Sequence, residues 1–239
     1  MNVNKSDSIG FIVTNNHNAA AIFNYHGIDF YSQGGRTLED ACIGHNVAMS
    51  SIIEDLWELR NQSGNVPDFS KMNMIELSTY ILRTHHKFTE KKLVFIRNTM
   101  HRLIGHHRED HSNLTLVRKT FEDLSVYLTV HMKHEEFIVF PCIHKMVKTK
   151  RMNLTTFQTI ERPISSMIDD HDHEVMTLKK LAELTNNFAV PANADYALKI
   201  TYNSMKELVE DLKIHMHLEN NILFPRAIDF VSNINDNLN

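Results

Sequence analysis

The sequence predicts an all-α protein, built as an antiparallel four-helix bundle preceded by a small helical N-terminal domain. Its 239 residues include only 7 Gly and 5 Pro, too few for the many turns of a β-rich fold. Beyond residue 73, four long stretches carry apolar residues at helical spacing. The connections between them are fairly short, which favours antiparallel neighbours in a bundle. With 42% hydrophobic residues, the chain can build a substantial core.

Residues 1–60 form the predicted N-terminal domain, and residues 61–73 form the linker to the bundle. The segment TNNHNAAAIFNYHGID has helical spacing and ends near Gly27, after which YSQGG is typical of a turn. An amphipathic pattern resumes in TLEDACIGHNVAMSSIIEDLWELR. Thr37 and Asp40 stand three residues apart at its start, which is typical of a capped helix N-terminus.

Four long helices are predicted within the bundle domain, residues 74–239. Their approximate bounds are 74–105, 114–148, 164–188 and 194–230. Pro163 precedes the third helix, where a proline fits the first turn because its missing N–H costs nothing there.

A repeated pattern marks the second and fourth predicted helices. The second contains LTVHMKHEEFIVFP, and the fourth contains LKIHMHLENNILFP. Each copy carries His-x-x-x-Glu, as His131 with Glu135 and as His215 with Glu219. Residues four apart lie one turn apart on the same helix face. Each of these helices is therefore expected to project one imidazole and one carboxylate together.

The repeat extends to the other two helices. His86 in the first and His171 in the third stand 85 residues apart, so each half of the bundle supplies one His and then one His-x-x-x-Glu. Antiparallel packing brings these side chains to one interior site, and they are more ligands than a single zinc binds. Two metals can use all four imidazoles and both carboxylates if each carboxylate bridges the metals and the imidazoles take the outer positions. Imidazole and carboxylate without thiolate suit iron or manganese, and zinc stays open.

His107, at the end of the first predicted helix, breaks this symmetry. Its repeat equivalent lies near Pro191, which cannot bind a metal. If His107 binds, one metal has three His ligands and the other has two, and both share Glu135 and Glu219. The metal with two His then keeps an open position for O₂, NO or peroxide. The neighbouring His106 competes for the same role, and spacing alone does not separate the two.

Simpler interpretations apply to parts of this pattern. One His-x-x-x-Glu pair on a helix is more often a surface pair than a ligand pair, and a duplication alone could preserve core packing. A metal site is favoured because buried His and Glu are costly unless they are paired or metal-bound. Three aspartates flank His171, where one could orient a ligand imidazole or all could belong to a solvated face. They are Asp169, Asp170 and Asp172.

The remaining histidines of the bundle are expected to be non-ligands, either solvated, or supporting a ligand, or at the surface. They are His85, His101, His111, His134, His144, His173 and His217.

Composition excludes several classes of function. The net charge of −4 and the lack of a basic run argue against nucleic acid as a partner. The two cysteines, Cys42 and Cys142, rule out an all-cysteine metal site and fit a reducing compartment. No apolar stretch is long enough to span a membrane, and the N-terminus lacks the pattern of a secretion signal. We therefore expect a cytoplasmic protein with neither membrane nor nucleic-acid partners.

These motifs resemble, over nearly the whole chain, the hemerythrin-like di-iron proteins that repair iron–sulfur clusters, the repair of iron centres family. The segments that carry the resemblance are THHKFTEKKL, HHREDH, HMKHEE, PISSMIDDHDHE and HMHLENNILFPRA. The resemblance implies two iron ions bridged by an oxo group and by two carboxylates, and it selects His107 over His106. The implied ligands are His86, His107, His131, Glu135, His171, His215 and Glu219, with Glu135 and Glu219 bridging.

The N-terminal segment GIDFYSQGGRTLEDAC also resembles a motif of that family, GIDFCCGG-x-x-x-L-x-x-AC. Tyr31 and Ser32 replace the adjacent cysteine pair of the motif, so thiol chemistry attributed to that pair does not carry over. Cys42 remains in a helical stretch and is expected to be a packed small residue.

The resemblance implies repair of iron–sulfur clusters damaged by nitric oxide or oxidants, through iron donation or through NO binding and reduction. Its implied partners are iron–sulfur proteins with damaged clusters and the small ligands NO or O₂, and a homodimer is a candidate assembly. The alternative is a hemerythrin-like carrier or sensor of O₂ or NO without repair activity, and a structural zinc or mixed-metal bundle is a third interpretation. The GGRTLEDAC unit argues against a plain carrier, which needs only the bundle.

Overall fold

The computed structural model of the chain describes residues 3–59, 67–106, 112–149, 154–192 and 194–236. Helices dominate these ranges, within which the only β-pairing is an isolated bridge between Ser8 and Thr37. The all-α prediction is therefore confirmed. Among the described helices, none is both long and apolar enough to cross a membrane.

Four short helices form the N-terminal unit, residues 3–59. They are α1 (Ile9–Asn15), α2 (Ala19–Tyr25), α3 (Leu38–His45) and α4 (Met49–Leu59). The predicted cap is present, since the Thr37 hydroxyl oxygen accepts from the Asp40 backbone N–H at 3.1 Å. Gly27, just beyond α2, has a φ of +69°, a left-handed conformation that glycine adopts without steric cost.

Four long helices, A to D, form the bundle, and three of them contain a π-helical turn. Helix A consists of α5 (Met74–Ile81), a π turn (Leu82–His86) and α6 (Lys87–His106). Helix B consists of α7 (Ser112–His134), a π turn (Glu135–Val139) and α8 (Phe140–Thr149). Helix C is α9 (Leu154–Leu184). Helix D consists of α10 (Tyr196–Leu218), a π turn (Glu219–Leu223) and α11 (Phe224–Asp236).

Each π turn begins or ends at a predicted metal ligand. The turn in helix A ends at His86, and those in helices B and D begin at Glu135 and Glu219. A π turn inserts an extra residue into an α-helix and is frequent at functional sites. Helix C, which carries His171, is continuous α-helix. The two halves of the repeat therefore differ in backbone as well as in sequence.

The buried apolar residues form two core clusters, which the predicted ligands separate along the bundle helices. In helix A, Ile81 belongs to the second cluster and Leu93 to the first, with His86 between them. In helix B, Leu128 belongs to the first cluster and Val139 to the second. Because the helices pack with α6 against α10 and α7 against α9, a polar layer crosses the middle of the bundle.

The N-terminal unit shares a core with the bundle. Its fully buried Phe23 and Phe30 belong to the first cluster, together with residues of helices A to D. Lys213 of helix D also donates to the side-chain oxygen of Asn24 at 2.9 Å. Of the predicted linker, residues 61–66 lie outside the described residues, whereas Phe69 is buried in the second cluster.

Helix C begins earlier than predicted, at Leu154, so Pro163 lies inside the helix. A proline there removes one backbone hydrogen bond. Ile160 and Ile164 are nevertheless both buried in the second cluster. We attribute the longer helix to burial of this i, i+4 pair, which offsets the cost of the proline.

Helix C also ends earlier than predicted, at Leu184. Asn186, Asn187 and Phe188 have φ values of 47°, 57° and 59°, in the left-handed region that terminates helices. The Phe188 N–H donates to the Thr185 hydroxyl oxygen at 3.0 Å, and the Phe188 ring stays in the first core cluster.

Candidate metal centre

Six of the seven predicted ligands meet in the polar layer between the core clusters. They form two groups, and in each group the ligand atoms lie within 4.8 Å of one another. Pocket 1 consists of His86, His215, Glu135 and Glu219, and pocket 2 consists of His131, His171, Glu135 and Glu219. Both glutamates belong to both pockets.

In pocket 1 the two imidazoles come from helices A and D. His86 Nε2 lies 3.3 Å from Glu135 Oε2. His215 Nε2 lies 3.0 Å from Glu219 Oε1 and 3.9 Å from Glu135 Oε2. Two nitrogens and two carboxylate oxygens thus converge on one small volume.

In pocket 2 the imidazoles come from helices B and C. His131 Nε2 lies 3.3 Å from Glu135 Oε1, and His171 Nε2 lies 3.2 Å from Glu219 Oε2. The two Nε2 atoms are 3.2 Å apart. Glu135 thus directs Oε2 to pocket 1 and Oε1 to pocket 2, and Glu219 directs Oε1 to pocket 1 and Oε2 to pocket 2. A carboxylate that bridges two metals would have this arrangement.

The burial and bonding of these atoms fit bound cations. Both glutamates are fully buried, and the four imidazoles are at most 3% exposed. Despite these short distances, none of the four oxygens of Glu135 and Glu219, nor Nε2 of His86 and His215, makes a hydrogen bond of acceptable geometry within the described part of the chain. A buried polar group left in this state costs about 1–3 kcal/mol. A cation would satisfy these lone pairs, and imidazole with carboxylate suits iron or manganese.

The charges of the centre depend on one another. Burial raises the pKa of Glu135 by desolvation, but the neighbouring imidazoles, His131 first, outweigh burial and hold the pKa well below its usual value. Burial lowers the pKa of His131, but Glu135 and Glu174 outweigh it and raise the pKa well above its usual value. A metal ion that binds beside His131 would compete with a proton for that imidazole.

A chain of charges supports His86 from outside pocket 1. His86 Nδ1 donates to Glu136 Oε1 at 3.0 Å. Lys133 Nζ lies 2.6 Å from Glu136 Oε2 and 3.0 Å from Glu90 Oε1. A carboxylate on the outer nitrogen fixes the ring orientation and strengthens the imidazole as a metal ligand.

The imidazoles of pocket 2 have different supports. His171 Nδ1 donates to Asn220 Oδ1 at 2.8 Å. His131 Nδ1 lies 3.5 Å from Asp170 Oδ2 and 3.9 Å from Glu174 Oε1. Asp170 thus lies beside a predicted ligand, although that ligand is His131 of helix B and not its neighbour His171, and His131 Nδ1 has no hydrogen-bond partner among the described residues.

Two buried histidines lie beside the ligands without joining them. His85 is 4% exposed, and its Nδ1 lies 3.0 Å from Asp211 Oδ1. His217 is 1% exposed and packs against the Phe30 ring of the N-terminal unit. Burial, with repulsion from His17, lowers the pKa of His217 to about 3. His217 is therefore not solvated, and its Nδ1 lies 3.2 Å from Asn221 Nδ2 in the π turn of helix D.

Other predicted non-ligands lie towards the surface. His101 and His173 are exposed, and His134 is half-buried. His144, expected at the surface, is also half-buried, and its Nε2 lies 2.8 Å from the Ser78 hydroxyl.

His107, the seventh predicted ligand, lies outside the described residues, as do His111 and the side chain of His106. A ligand role for His107 therefore stays a prediction.

Four residues that support the centre carry no ligand motif in the sequence: Tyr127, Glu136, Glu174 and Asn220. Glu136 and Asn220 directly follow the two shared glutamates, and this adjacency is the only local signal. Glu174, 2% exposed and with its pKa raised by burial, lies one turn beyond His171. Tyr127 donates to Asp170 Oδ1 at 2.7 Å, a contact between helices that no local pattern predicts.

Two family models match the chain. Residues 77–227 match the family described as hemerythrin HHE cation binding domain. Residues 5–60 match the ScdA_N family, described as a domain of unknown function. The first match includes all six residues of the two pockets, and the second coincides with the N-terminal unit.

Curated relatives match over nearly their whole length. The probable iron–sulfur cluster repair protein of Haemophilus influenzae is 28% identical over 213 residues, 88% of this chain and 92% of that protein. The iron–sulfur cluster repair protein YtfE of Enterobacter sp. is 28% identical over 224 residues, 94% of this chain and 97% of that protein. YtfE of Yersinia pseudotuberculosis has the same identity over 230 residues and the same coverage.

Proposed function

Since this chain belongs to the hemerythrin HHE cation binding domain family, we propose that its bundle domain, residues 74–239, holds two iron ions. Pocket 1 and pocket 2 each take one ion, with Glu135 and Glu219 as bridging ligands. The observation that carries this proposal is the division of each carboxylate between the pockets, Oε1 to one and Oε2 to the other.

We further propose that the protein acts in the repair of damaged iron–sulfur clusters. The relatives that it matches along almost their full length carry that role in their names. The N-terminal unit, residues 1–60, adds support because it matches a second family and is not needed by a plain O₂ or NO carrier. Both cysteines of the chain are free thiols, in keeping with a reducing cytoplasm.

Two modes of repair fit the ligand set. In the first mode, iron is cargo that passes to a damaged cluster, and in the second mode the centre binds and reduces NO. Bound iron would supply one-electron exchange between its ferrous and ferric states. Each pocket offers four protein ligand atoms, two nitrogens and two oxygens, without the thiolates that form closed metal cages. The chain's own contribution is to neutralise the metal charge, orient the imidazoles and exclude water with the flanking core clusters.

Metal analysis tests the proposed centre. The purified protein should contain about two irons per chain, and Glu135→Ala with Glu219→Ala should abolish binding because both pockets lose both oxygens. Exposed His173 supplies the control, since His173→Ala should keep both irons. Stoichiometric zinc without iron, or full occupancy in the double alanine variant, would contradict the proposed centre.

A reconstitution experiment tests the repair role. Protein loaded with ferrous iron is mixed with a recipient whose iron–sulfur cluster has been damaged, and cluster recovery is measured against the same amount of free iron. Recovery should be faster with the loaded protein and should fall to the free-iron rate with the double alanine variant. Equal rates for loaded protein and free iron would exclude iron donation.

A further inference from the structure

The turn between α2 and α3, residues 26–37, lies against the π turn of helix D. The Tyr31 backbone carbonyl accepts from Asn220 Nδ2 at 3.2 Å and from Asn221 Nδ2 at 3.3 Å. The Phe30 carbonyl also accepts from Asn221, at 3.3 Å. The main chain of the N-terminal unit is thus hydrogen-bonded to the segment that carries a bridging glutamate.

Asn220 connects this turn to a metal ligand. Its amide oxygen accepts from His171 Nδ1 at 2.8 Å, while its –NH₂ group donates to Tyr31. The orientation of the amide follows from chemistry, because a backbone carbonyl can only accept and so the –NH₂ must face Tyr31. His171 must then carry its proton on Nδ1, which leaves the Nε2 lone pair for pocket 2.

The support of His171 differs from that of two other ligands. His86 Nδ1 faces the Glu136 carboxylate at 3.0 Å, and His131 Nδ1 faces Asp170 at 3.5 Å. A carboxylate makes an imidazole a stronger donor to a metal than a neutral amide does. The support of His171 is a neutral amide, and it is one that reaches outside the bundle, through Asn220 to Tyr31.

We propose that Asn220 is a positioning residue through which the N-terminal unit adjusts pocket 2. Movement of the Tyr31 carbonyl would shift the Asn220 amide, and with it the orientation of His171 and the metal affinity of pocket 2. The link runs through a backbone carbonyl, so it needs no cysteine side chain at Tyr31 or Ser32. The inference rests on the proposed two-metal centre but not on the repair role.

Two neighbouring glycines offer a matched way to displace the turn. A Cβ at Gly34 would overlap the Asn221 side-chain amide and lie 2.8 Å from the Phe30 carbonyl oxygen. A Cβ at Gly35 would meet no atom within 4 Å. Gly34→Ala should therefore push the turn away from helix D, whereas Gly35→Ala should leave it in place.

Mössbauer spectroscopy of the full-length protein, loaded with ferrous ⁵⁷Fe and titrated with a chelator, follows the two irons separately. Asn220→Ala should lower the affinity of one iron by about 10-fold or more, as for other outer supports of metal ligands, and leave the other unchanged. Asn220→Asp keeps an acceptor for His171 but cannot donate to Tyr31, so it should retain both irons with an altered signal for one. Gly34→Ala should weaken that same iron, and Gly35→Ala should weaken neither.

A double variant tests whether the effect passes through Asn220. Once Asn220→Asp has removed the hydrogen bond from Asn220 to Tyr31, adding Gly34→Ala should change the iron signal less than it does in the wild-type background, because only the contacts of the turn with Asn221 remain. Imidazole ¹⁵N NMR of the zinc-loaded protein provides a second readout, because the hydrogen-bonded Nδ1–H signal of His171 should persist in Asn220→Asp and shift in Asn220→Ala.

Several outcomes would overturn the proposal. Asn220→Ala could leave both iron signals and the His171 tautomer unchanged, or Gly34→Ala and Gly35→Ala could have equal effects. Either result contradicts the link while the wild type still binds two irons. A wild type that binds no iron instead contradicts the centre itself. If circular dichroism shows that Gly34→Ala unfolds the protein, the iron affinities of Asn220→Ala and Asn220→Asp alone test the proposal.

Discussion

His86 Nδ1 lies 3.0 Å from Oε1 of Glu136, the residue that directly follows a proposed bridging ligand. The other ring nitrogen, Nε2, lies 3.3 Å from Oε2 of Glu135. Two consecutive glutamates at the start of a π turn therefore face opposite sides of one imidazole. The first of them can bind metal, and the second can only support the ring.

Glu136 should act on pocket 1 through His86 alone. Glu136→Ala removes the acceptor on Nδ1, and we expect the iron affinity of pocket 1 to fall by about 10-fold to 100-fold. Glu136→Gln keeps a neutral acceptor and should have a smaller effect. Chelator titration of the ⁵⁷Fe-loaded protein measures both changes.

Glu90 provides the control for Glu136, because Lys133 contacts both carboxylates. Glu90→Gln disturbs the lysine without touching His86 and should leave iron binding unchanged. If Glu90→Gln weakens iron as much as Glu136→Ala does, the effect arises from surface charge and the supporting role is wrong.

Bridging and terminal ligands should respond differently to removal. His86→Ala takes one ligand from pocket 1 alone, and His171→Ala takes one from pocket 2 alone. We expect each variant to retain about one tightly bound iron, whereas Glu135→Ala should weaken both irons because it contributes to both pockets. Iron content after gel filtration, with Mössbauer spectra of the retained iron, checks these expectations. Loss of only one iron in Glu135→Ala would show that Glu135 does not bridge.

Much of the candidate centre could be predicted because its proposed ligands follow local rules. His131 with Glu135 and His215 with Glu219 are four residues apart, and this spacing fixes a common helix face whatever the rest of the fold does. The repeat then places His86 and His171 opposite them. Four long amphipathic stretches were sufficient to predict the bundle, because each such helix must bury its apolar face against the others.

The parts that could not be predicted depend on contacts between distant segments. Asn220 meets Tyr31 across 189 residues of chain, so its role follows from how the N-terminal unit docks. Helix C continues through Pro163, with Ile160 buried in the core one turn before it, and a local helix rule does not anticipate this. Each π turn adds one residue to an α-helix, and this shifts the spacing of apolar residues too little to be recognised in the sequence.

His107 separates two versions of the centre. Six proposed ligands meet in the pockets, and the sequence predicts His107 as a seventh that binds one of the two irons. We therefore expect His107→Ala to weaken one iron and to leave the Mössbauer signal of the other unchanged. His171→Ala, measured in parallel, shows the size of effect that the loss of one terminal ligand produces. Retention of both irons with wild-type Mössbauer parameters in His107→Ala would contradict a seventh ligand.

His17 should make the stability of the protein depend on pH. It lies in the N-terminal unit with its ring centroid 5.4 Å from that of Phe69. Burial lowers the pKa of His17 below the usual 6.5, and repulsion from His85 lowers it further. In the unfolded chain the pKa returns to about 6.5, so between the two pKa values the unfolded state binds more protons than the folded state. The stability contributed by a neutral His17 is therefore complete above pH 6.5 and is lost progressively as the pH falls below it.

We expect the free energy of unfolding of the wild type to decrease between pH 7.5 and pH 5.5 by more than that of His17→Gln, which cannot take up this proton. Urea titrations followed by circular dichroism measure both values, with the same chelator present throughout so that metal binding does not contribute. His173→Gln is the matched control, because His173 is exposed and its removal should leave the wild-type pH dependence intact. Equal losses of stability in the wild type and His17→Gln would contradict this prediction. They would mean that the folded protein accommodates a protonated His17 at no cost in stability.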